Sequence, residues 1–416
     1  MKSILFLCES YYRLPSPNGI CVQAVAETAV KEGYHVDVVT IFNSNDQSEY
    51  ETVNGVTVYR VDPGFIRREL FKTNPEIYPE KNQCHNLILK LSAINGLIKA
   101  FRYPYLSRKQ VVNLQMKAEE LYKQNRYQHV VIVYQQIHPV LAGINLKKKY
   151  PKVDLTLYTL DAISGGWVPN ILHSHKIPMN SLKKWEQYFF NNVDRVFAME
   201  SHFQQYQSQE YELWREKIHY LDIPLLRLGK QAYLEKPTDG RVRFVFTGSM
   251  HKDTANPKYL LKLLPQLQDV EVDIYGSISP DIMEEMKESG LLNKQLFYKG
   301  RVGHDEILDI QRNADVLLNF GNANPNMIPC KIFEYISTGR KIISFTHSSE
   351  DSSLPYMRRY TNSLILEEDD KRLEQTVRQV IQFLSVSNVV DEELLKDRLK
   401  KNMPEYFLAM LRGEVR

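Results

Sequence analysis

Cysteine is scarce in this chain: Cys8, Cys21, Cys84 and Cys330 are four residues in 416. No two of them are spaced as a metal-binding or redox pair. That excludes a zinc-ribbon or disulfide framework and predicts free thiols in a reducing compartment. Long apolar runs are missing as well. No stretch of about 18 apolar residues occurs, so no transmembrane helix is expected. The opening MKSILFLCESYY has one lysine, a short apolar run and no small-residue cleavage pattern. It reads as a buried first strand instead of a secretory signal, and the expected location is the cytoplasm. No G-x-G-x-x-G follows an early strand, which argues against a dinucleotide-dependent dehydrogenase. No helix-turn-helix, finger or RRM signature is present, so nucleic acid is not an expected partner. Low-complexity tracts and short internal repeats are absent too.

What is present is ordinary in bulk and uneven in detail. Hydrophobic residues make up 43% and charged residues 25% of the chain. That suffices for a large core, and the length suits two domains of roughly 100–200 residues each. The net charge is only +3, yet residues 81–150 hold twelve Lys and Arg against Glu119 and Glu120, a local excess of ten. An asymmetry of this size predicts an acidic partner surface.

Strand and helix signals alternate along the chain. SILFLCES reads as a strand that ends in a loop with Pro15, Pro17 and Gly19, and ICVQAVAETAVKEG as a helix stopped by Gly33. HVDVVTIF, HVVIVY, VDLTLYTLD, VDRVFAMES and KIHYLDI read as further strands, and VNGVTVYRV as a hairpin around Asn54 and Gly55. A polar stretch, 229–241, follows. The pattern then restarts with VRFVFTGS, VEVDIYGS, QLFYKGRV, DVLLNFGN and KIISFTH, with helical segments between them, and residues 371–414 read as helices. Such alternation predicts parallel sheets with right-handed crossovers, with ligands bound beyond the carboxyl ends of the strands.

The most informative segment is IPCKIFEYISTGRKII, residues 328–343. It reads as loop, short helix, stop and strand. Pro329 suits a first helical turn and Gly339 the left-handed position that ends a helix. The free N–H groups and dipole of that turn would favour an anion such as phosphate. Lys331 and Glu334 are three residues apart and share that end of the helix. Lys331 can neutralise a phosphate, and Glu334 can accept hydrogen bonds from two vicinal hydroxyls, as on a ribose. An ordinary surface helix with a capping charge pair is the competing reading.

The order of TGS (247–249), YGS (275–277), KGRV (299–302), DVLLNF and IPCKIFEY resembles the donor domain of GT-B retaining glycosyltransferases of family 4. PSPNG followed by a helix, Gly33 and HVDVVT resembles the acceptor domain of the same family. The likeness covers essentially the whole chain. It implies an α/β protein with two Rossmann-like doubly wound domains facing across a cleft. The acceptor domain would be residues 1–228 and the donor domain 229–394, with a C-terminal helix at about 395–416 packing back on the first. The resemblance places Glu334 on the nucleotide ribose and Asn326 where the family carries a second glutamate that meets the donor sugar. Asn326 can hydrogen-bond a hydroxyl but brings no charge. Gly19, Gly248, Gly276, Arg301, Val302 and Ile328 fall by resemblance around the donor, with Tyr275 and Arg301 near the base. The family's diphosphate-gripping Arg and Lys are replaced by SMHKDTANPK, whose cations are Lys252 and Lys258. A histidine often found after an acceptor-domain strand gives way to Asp161.

The implied activity is retaining transfer of a sugar from a nucleotide-diphosphate sugar to a glycan or lipid-linked acceptor, in cell-surface polysaccharide or glycolipid synthesis. Lys331, with Lys252 or Lys258, would hold the diphosphate, so neither a metal nor another cofactor is expected. Asp161, Lys331 and Asn326 are the candidate catalytic residues. Asp161 could orient an acceptor hydroxyl or serve as a helix N-cap. His138 could line the cleft or be structural. Two alternatives stand beside this reading. One is a UDP-N-acetylglucosamine 2-epimerase-type isomerase, for which no acid/base cluster is visible. The other is a nucleotide-binding scaffold without activity.

The basic stretch adds a possible partner. In LILKLSAINGLIKAF, Leu87, Leu91, Ile94, Ile98 and Phe101 form one helical stripe, widened by Leu89 and Leu97 and flanked by Lys90, Lys99, Arg102, Arg108 and Lys109. Such a helix, over 87–101 within a basic region of 87–109, predicts either association with an anionic membrane, at the inner face of the plasma membrane, or a core-facing helix with a solvated basic rim.

Overall fold

Strand residues in this chain are apolar on both faces, as a parallel sheet sandwiched between helices requires. The computed structural model describes residues 2–12, 16–44, 47–73, 82–101, 103–165, 176–228, 240–252, 255–321, 328–386 and 390–415. It divides into two compact units, Met1–Pro224 with Pro404–Arg416, and Leu225–Met403.

The strands of the first unit are β1 (Ser3–Leu7), β2 (His35–Ile41), β3 (Tyr50–Val53), β4 (Val56–Val61), β5 (His129–Tyr134), β6 (Leu155–Thr159), β7 (Arg195–Met199) and β8 (Ile218–Leu221). They form one sheet in the order β3-β4-β2-β1-β5-β6-β7-β8. Among the described residues only the β3–β4 hairpin is antiparallel. Its turn places Asn54 at φ 51° and Gly55 at φ 81°, the pair of left-handed residues that a tight two-residue hairpin needs. The helices are α1 (Pro17–Lys31), α2 (Phe65–Lys72), α3 (Asn82–Phe101), α4 (Arg108–Asn125), α5 (Ile137–Lys149), α6 (Lys176–Asn191) and the single turn α7 (Phe203–Tyr206).

Side-chain alternation fills both layers of this unit. Leu5, Leu7, Leu155, Leu157 and Val196 enter a core shared with α4, α5 and α6. Phe6, Tyr158 and Phe197 point the other way and close around Phe407, with ring centroids 6.5, 5.0 and 5.2 Å from it. Phe407 belongs to the last helix of the chain, which packs on α1.

The second unit contains β9 (Val242–Thr247), α8 (Lys258–Leu263), β10 (Val270–Tyr275), α9 (Pro280–Glu288), β11 (Leu296–Gly300), α10 (His304–Asn313), β12 (Val316–Phe320), α11 (Lys331–Ser337), β13 (Lys341–Thr346), α12 (Leu354–Arg359), β14 (Ser363–Glu367), α13 (Leu373–Ser385) and α14 (Glu392–Arg398). Its six strands are all parallel, in the order β11-β10-β9-β12-β13-β14. The Phe407 helix, α15 (Pro404–Leu411), completes the chain.

Both sheets reverse their winding direction once, between β1 and β5 in the first and between β9 and β12 in the second. At such a switch point the flanking loops diverge and leave a crevice beyond the strand ends, where open α/β sheets bind ligands.

Three sequence expectations change. The PSPNG segment is not a loop up to Gly19. Helix α1 begins at Pro17, and the Ser16 hydroxyl caps it by accepting from the Gly19 N–H at 3.1 Å. The α11 helix begins at Lys331, two residues beyond Pro329, which forms a preceding turn with its carbonyl accepting from Ile332 N at 3.1 Å. The SLILE segment, not expected as a strand, is β14.

Candidate functional site

In the second unit the site grows from two short loops that stay paired after their strands end. The Gly248 N–H donates to the Tyr275 carbonyl at 2.9 Å, and Met250 N donates to the Ser277 carbonyl at 2.8 Å. Ser249 and Ser277 share a hydroxyl–hydroxyl bond of 2.8 Å. This close approach is possible only without side chains. Gly248 and Gly276 have φ of 132° and 126°, and a Cβ on Gly276 would collide with the Gly248 carbonyl. Gly276 N donates in turn to the Gly300 carbonyl at 2.7 Å, which ties in the loop carrying exposed Arg301 and half-buried Val302. Three successive strand ends are thereby locked together.

Helix α11 brings Lys331 and Glu334 to this place. The Lys331 ammonium lies 3.7 Å from the centre of the Phe246 ring. It would also be 3.7 Å from a Cβ on Gly248. Burial pulls Lys331 down from its ordinary value to about 7, while the face of the Phe246 ring works in the opposite direction by favouring the cation. Tyr335 anchors the helix from beneath: its hydroxyl accepts from Thr247 N at 2.9 Å and lies 3.1 Å from Thr247 Oγ1.

Gln311 of α10, fully buried, completes the arrangement. Its Nε2 donates to Thr247 Oγ1 at 3.0 Å and to Glu334 Oε2 at 3.3 Å. Sequence reasoning passed over Gln311 because a lone glutamine in an amphipathic helix reads as a surface residue. It also passed over Phe246, an apolar strand residue that doubles as the platform under Lys331.

The remaining donor-side candidates are peripheral or unplaced. Lys252 is exposed in a turn and contributes to holding the Asp281 carboxyl below its usual range, after the Ser279 hydrogen bond. Lys258 is exposed at the first position of α8, its N–H bound to Asn256 Oδ1 at 3.0 Å. Ile328 is half-buried just before α11. Asn326 lies outside the described residues.

In the first unit, polar groups gather at the other switch point. Ser10, after β1, bonds Ser16 through their hydroxyls at 2.6 Å, and Ser16 donates to Gln135 Oε1 at 3.0 Å. Asp161, exposed just beyond β6, accepts from Asn18 Nδ2 at 2.9 Å. It therefore ties the start of α1 to the β6 loop, and with Gly19 inside the first turn of α1 the two candidates share this edge. The Tyr103 phenol is raised above its ordinary value by burial and by Asp161.

His138 is buried near the start of α5, where its Nε2 accepts from Ser107 N at 3.0 Å. Burial lowers it to about 4, so the ring is neutral at physiological pH and carries its proton on Nδ1. Glu9, which sequence reasoning did not select, has a buried Oε2 without a hydrogen-bond partner among the described residues. Burial raises its carboxyl to about 7 against the pull of Arg67 and Lys99.

Chemically, the second unit offers a cation over an aromatic face, a half-buried carboxylate and two paired loops opened by Gly248 and Gly276. That combination suits a ligand bearing phosphate and vicinal hydroxyls. No protein-family profile matches the chain, and no curated protein sequence matches it. Solved structures do. Sucrose-phosphate synthase from Thermosynechococcus elongatus matches with a TM-score of 0.60 at 13% identity, over 100% of this chain and 98% of that one. Anabaena HepE, solved in complex with UDP and glucose, matches with a TM-score of 0.61 at 11% identity, over 100% of both chains. The UDP-GlcNAc 2-epimerase from Methanocaldococcus jannaschii matches with a TM-score of 0.53 at 12% identity, over 99% of this chain and 100% of that one. At these identities the likeness is one of architecture: the chain has the GT-B fold, with two parallel-sheet domains.

Proposed function

We propose that the protein is a retaining glycosyltransferase that moves a sugar from a nucleoside-diphosphate sugar to a glycan or lipid-linked acceptor in cell-surface polysaccharide or glycolipid synthesis. The observation that carries this reading is the convergence of Lys331, Glu334, Gly248 and Gly276 at the β9 switch point. The fold it shares with HepE, a protein solved with UDP and glucose, supports the same ligand class.

In this reading the diphosphate lies against the Gly248 and Gly276 loops, and its charge is met by Lys331, with Lys252 of the β9–α8 loop or Lys258 at the start of α8 reaching in. Glu334, steadied by Gln311, accepts from the ribose hydroxyls. Ile328, Arg301 and Val302 border the base, and Asn326 contacts the donor sugar. As the bond from the anomeric carbon to the diphosphate breaks, negative charge grows on the leaving oxygen, and Lys331 stabilises it there. The acceptor hydroxyl attacks on the face the diphosphate leaves, and its proton passes to a leaving phosphate oxygen. Configuration is retained and no protein nucleophile is required. Asp161 orients the acceptor, with Gly19 at the same edge of the first unit. The protein-borne cations stand in place of a metal. A location at the cytoplasmic face of the plasma membrane belongs to the same reading.

The test is thermal stabilisation of the purified chain by UDP, GDP, dTDP, ADP and NAD, with Glu334→Ala beside the wild type. A ligand at about a hundred times its dissociation constant adds roughly 2.7 kcal/mol. One nucleoside diphosphate should stabilise the wild type and fail to stabilise Glu334→Ala, and chelator should not change the shift. The matching nucleotide sugar should then lose its sugar with retention when acceptor is supplied. Epimerisation of the nucleotide sugar without acceptor would replace the transferase reading by an isomerase. No shift with any nucleotide would defeat both.

A further inference from the structure

Helix α3 is packed inside out. Residues 85, 88, 92, 95 and 99, spaced alternately three and four apart, are the partly covered ones: His85, Ile88, Ser92, Asn95 and Lys99. Residues on a different side are exposed and apolar, with Leu87 60%, Leu91 49%, Ile94 56%, Ile98 46% and Phe101 63% open to solvent. At 3.6 residues per turn these are two stripes on different sides of one helix, with Leu89, 46% exposed, beside the covered one. A soluble helix buries the apolar stripe, and this one presents it.

The orientation is fixed by specific contacts. His85 Nδ1 lies 3.1 Å from the Thr73 hydroxyl at the end of α2. The Lys99 ammonium stands 5.0 Å over the Tyr105 ring, and its charge reaches both Glu9 and His138. The polar stripe therefore belongs to the fold of the first unit, and among the described residues the outward stripe stays exposed. Leu97, 64% exposed, and Lys90, two turns before it, widen the outward face. The segment keeps this character beyond the helix, where Val112 is 48% and Met116 65% exposed.

We infer that the outward face of α3 docks on an anionic membrane surface, with Leu87, Leu91, Ile94, Ile98 and Phe101 in the acyl boundary and Lys90 among the headgroups. This deepens the membrane location proposed above and rests on it. Charge selects the occupant. No acidic residue occurs between positions 81 and 118, while Lys90 and Arg108 stand exposed there; Lys109 is paired with Asp62 at 3.1 Å. A second copy paired through this face would set like charges against each other, whereas anionic headgroups complement them. Among the described residues no helix is long and apolar enough to cross a membrane. A helix with one apolar face and a basic flank lies in the interface plane.

The test is co-sedimentation of the full chain with phosphatidylcholine vesicles, with and without phosphatidylglycerol, beside two variants. In the first, Leu91→Asn, Ile94→Asn and Ile98→Asn are combined; in the second, Lys90→Glu stands alone. The wild type should bind anionic vesicles and lose binding as salt rises. The triple variant should bind at least about a hundredfold more weakly, and Lys90→Glu about fivefold or more weakly on the anionic vesicles. Thermal stabilisation by nucleotide should be unchanged in both variants. That measurement separates failure of the membrane surface from failure of the nucleotide site. Absence of wild-type binding, or equal binding by the triple variant, would overturn the inference. A wild-type dimer that the triple variant dissolves would overturn it too, in favour of a second copy.

Discussion

At the residue scale, Lys331 is held between opposing influences. Burial pulls its ammonium down to about 7, and the Phe246 ring face favours the charge. Depression of a folded-state lysine has a definite sign. Between its ordinary range and about 7 the unfolded chain holds the extra proton, so stability declines as pH falls through that window and levels off below it. A bound diphosphate would restore the charged form, so nucleotide binding above pH 7 takes up a proton. Affinity for the cognate nucleoside diphosphate is therefore expected to fall as pH rises above about 7, by up to about tenfold per unit. Lys331→Met should bind weakly and lose this slope. Calorimetry in two buffers of different ionisation enthalpy checks the proton uptake, and an unchanged slope in Lys331→Met would assign the titration to another group.

At the element scale, function depends on two loops that behave as one. Gly276→Ala inserts a methyl group against the Gly248 carbonyl at a left-handed backbone position. The expected outcome is about 1–3 kcal/mol of lost stability, with nucleotide stabilisation lost even at ligand excess. Gly290→Ala is the control: its φ of 68° also lies on the left-handed side, at a smaller backbone cost, and nothing lies within 4 Å of the added carbon. It should lose stability and keep the nucleotide response.

Much of this element-level organisation was legible in the sequence. The strands HVVIVY and KIISFT, the Asn54–Gly55 hairpin and the stops at Gly33 and Gly339 follow from local chemistry, and β5 spans the same six residues as its sequence signal. Other features depend on information no local pattern holds. Ser16, Pro17, Asn18 and Gly19 are all turn formers, so a capped helix start there looks like a loop. The stripe on α3 was visible, but its direction is set by partners such as Thr73 and Tyr105. Gln311 becomes informative only once β9 and α11 bring Thr247 and Glu334 to it. Strand pairing order, and hence the two switch points, is likewise a property of the assembled sheet.

At the scale of the whole molecule, the first unit draws on both ends of the chain. Phe407 closes the aromatic layer of Phe6, Tyr158 and Phe197. Phe407→Ala should cost about 3–5 kcal/mol, the usual cost of emptying an aromatic site in a packed core. The loss should fall on the first unit's unfolding transition in calorimetry, while nucleotide stabilisation of the second unit's transition persists. A loss shared equally by both transitions would mean that the units melt together.

The discontinuity of the first unit also sets an order of events during synthesis. Its β-sheet is complete once residue 221 has been made, yet the aromatic layer lacks its Phe407 cover until α15 emerges, after the whole of Leu225–Met403 has been translated. The second unit is continuous and can fold as a domain in its own right while that layer waits. For that interval the nascent chain carries an open surface of Phe6, Tyr158 and Phe197, and ribosome-bound chaperones would meet the protein there.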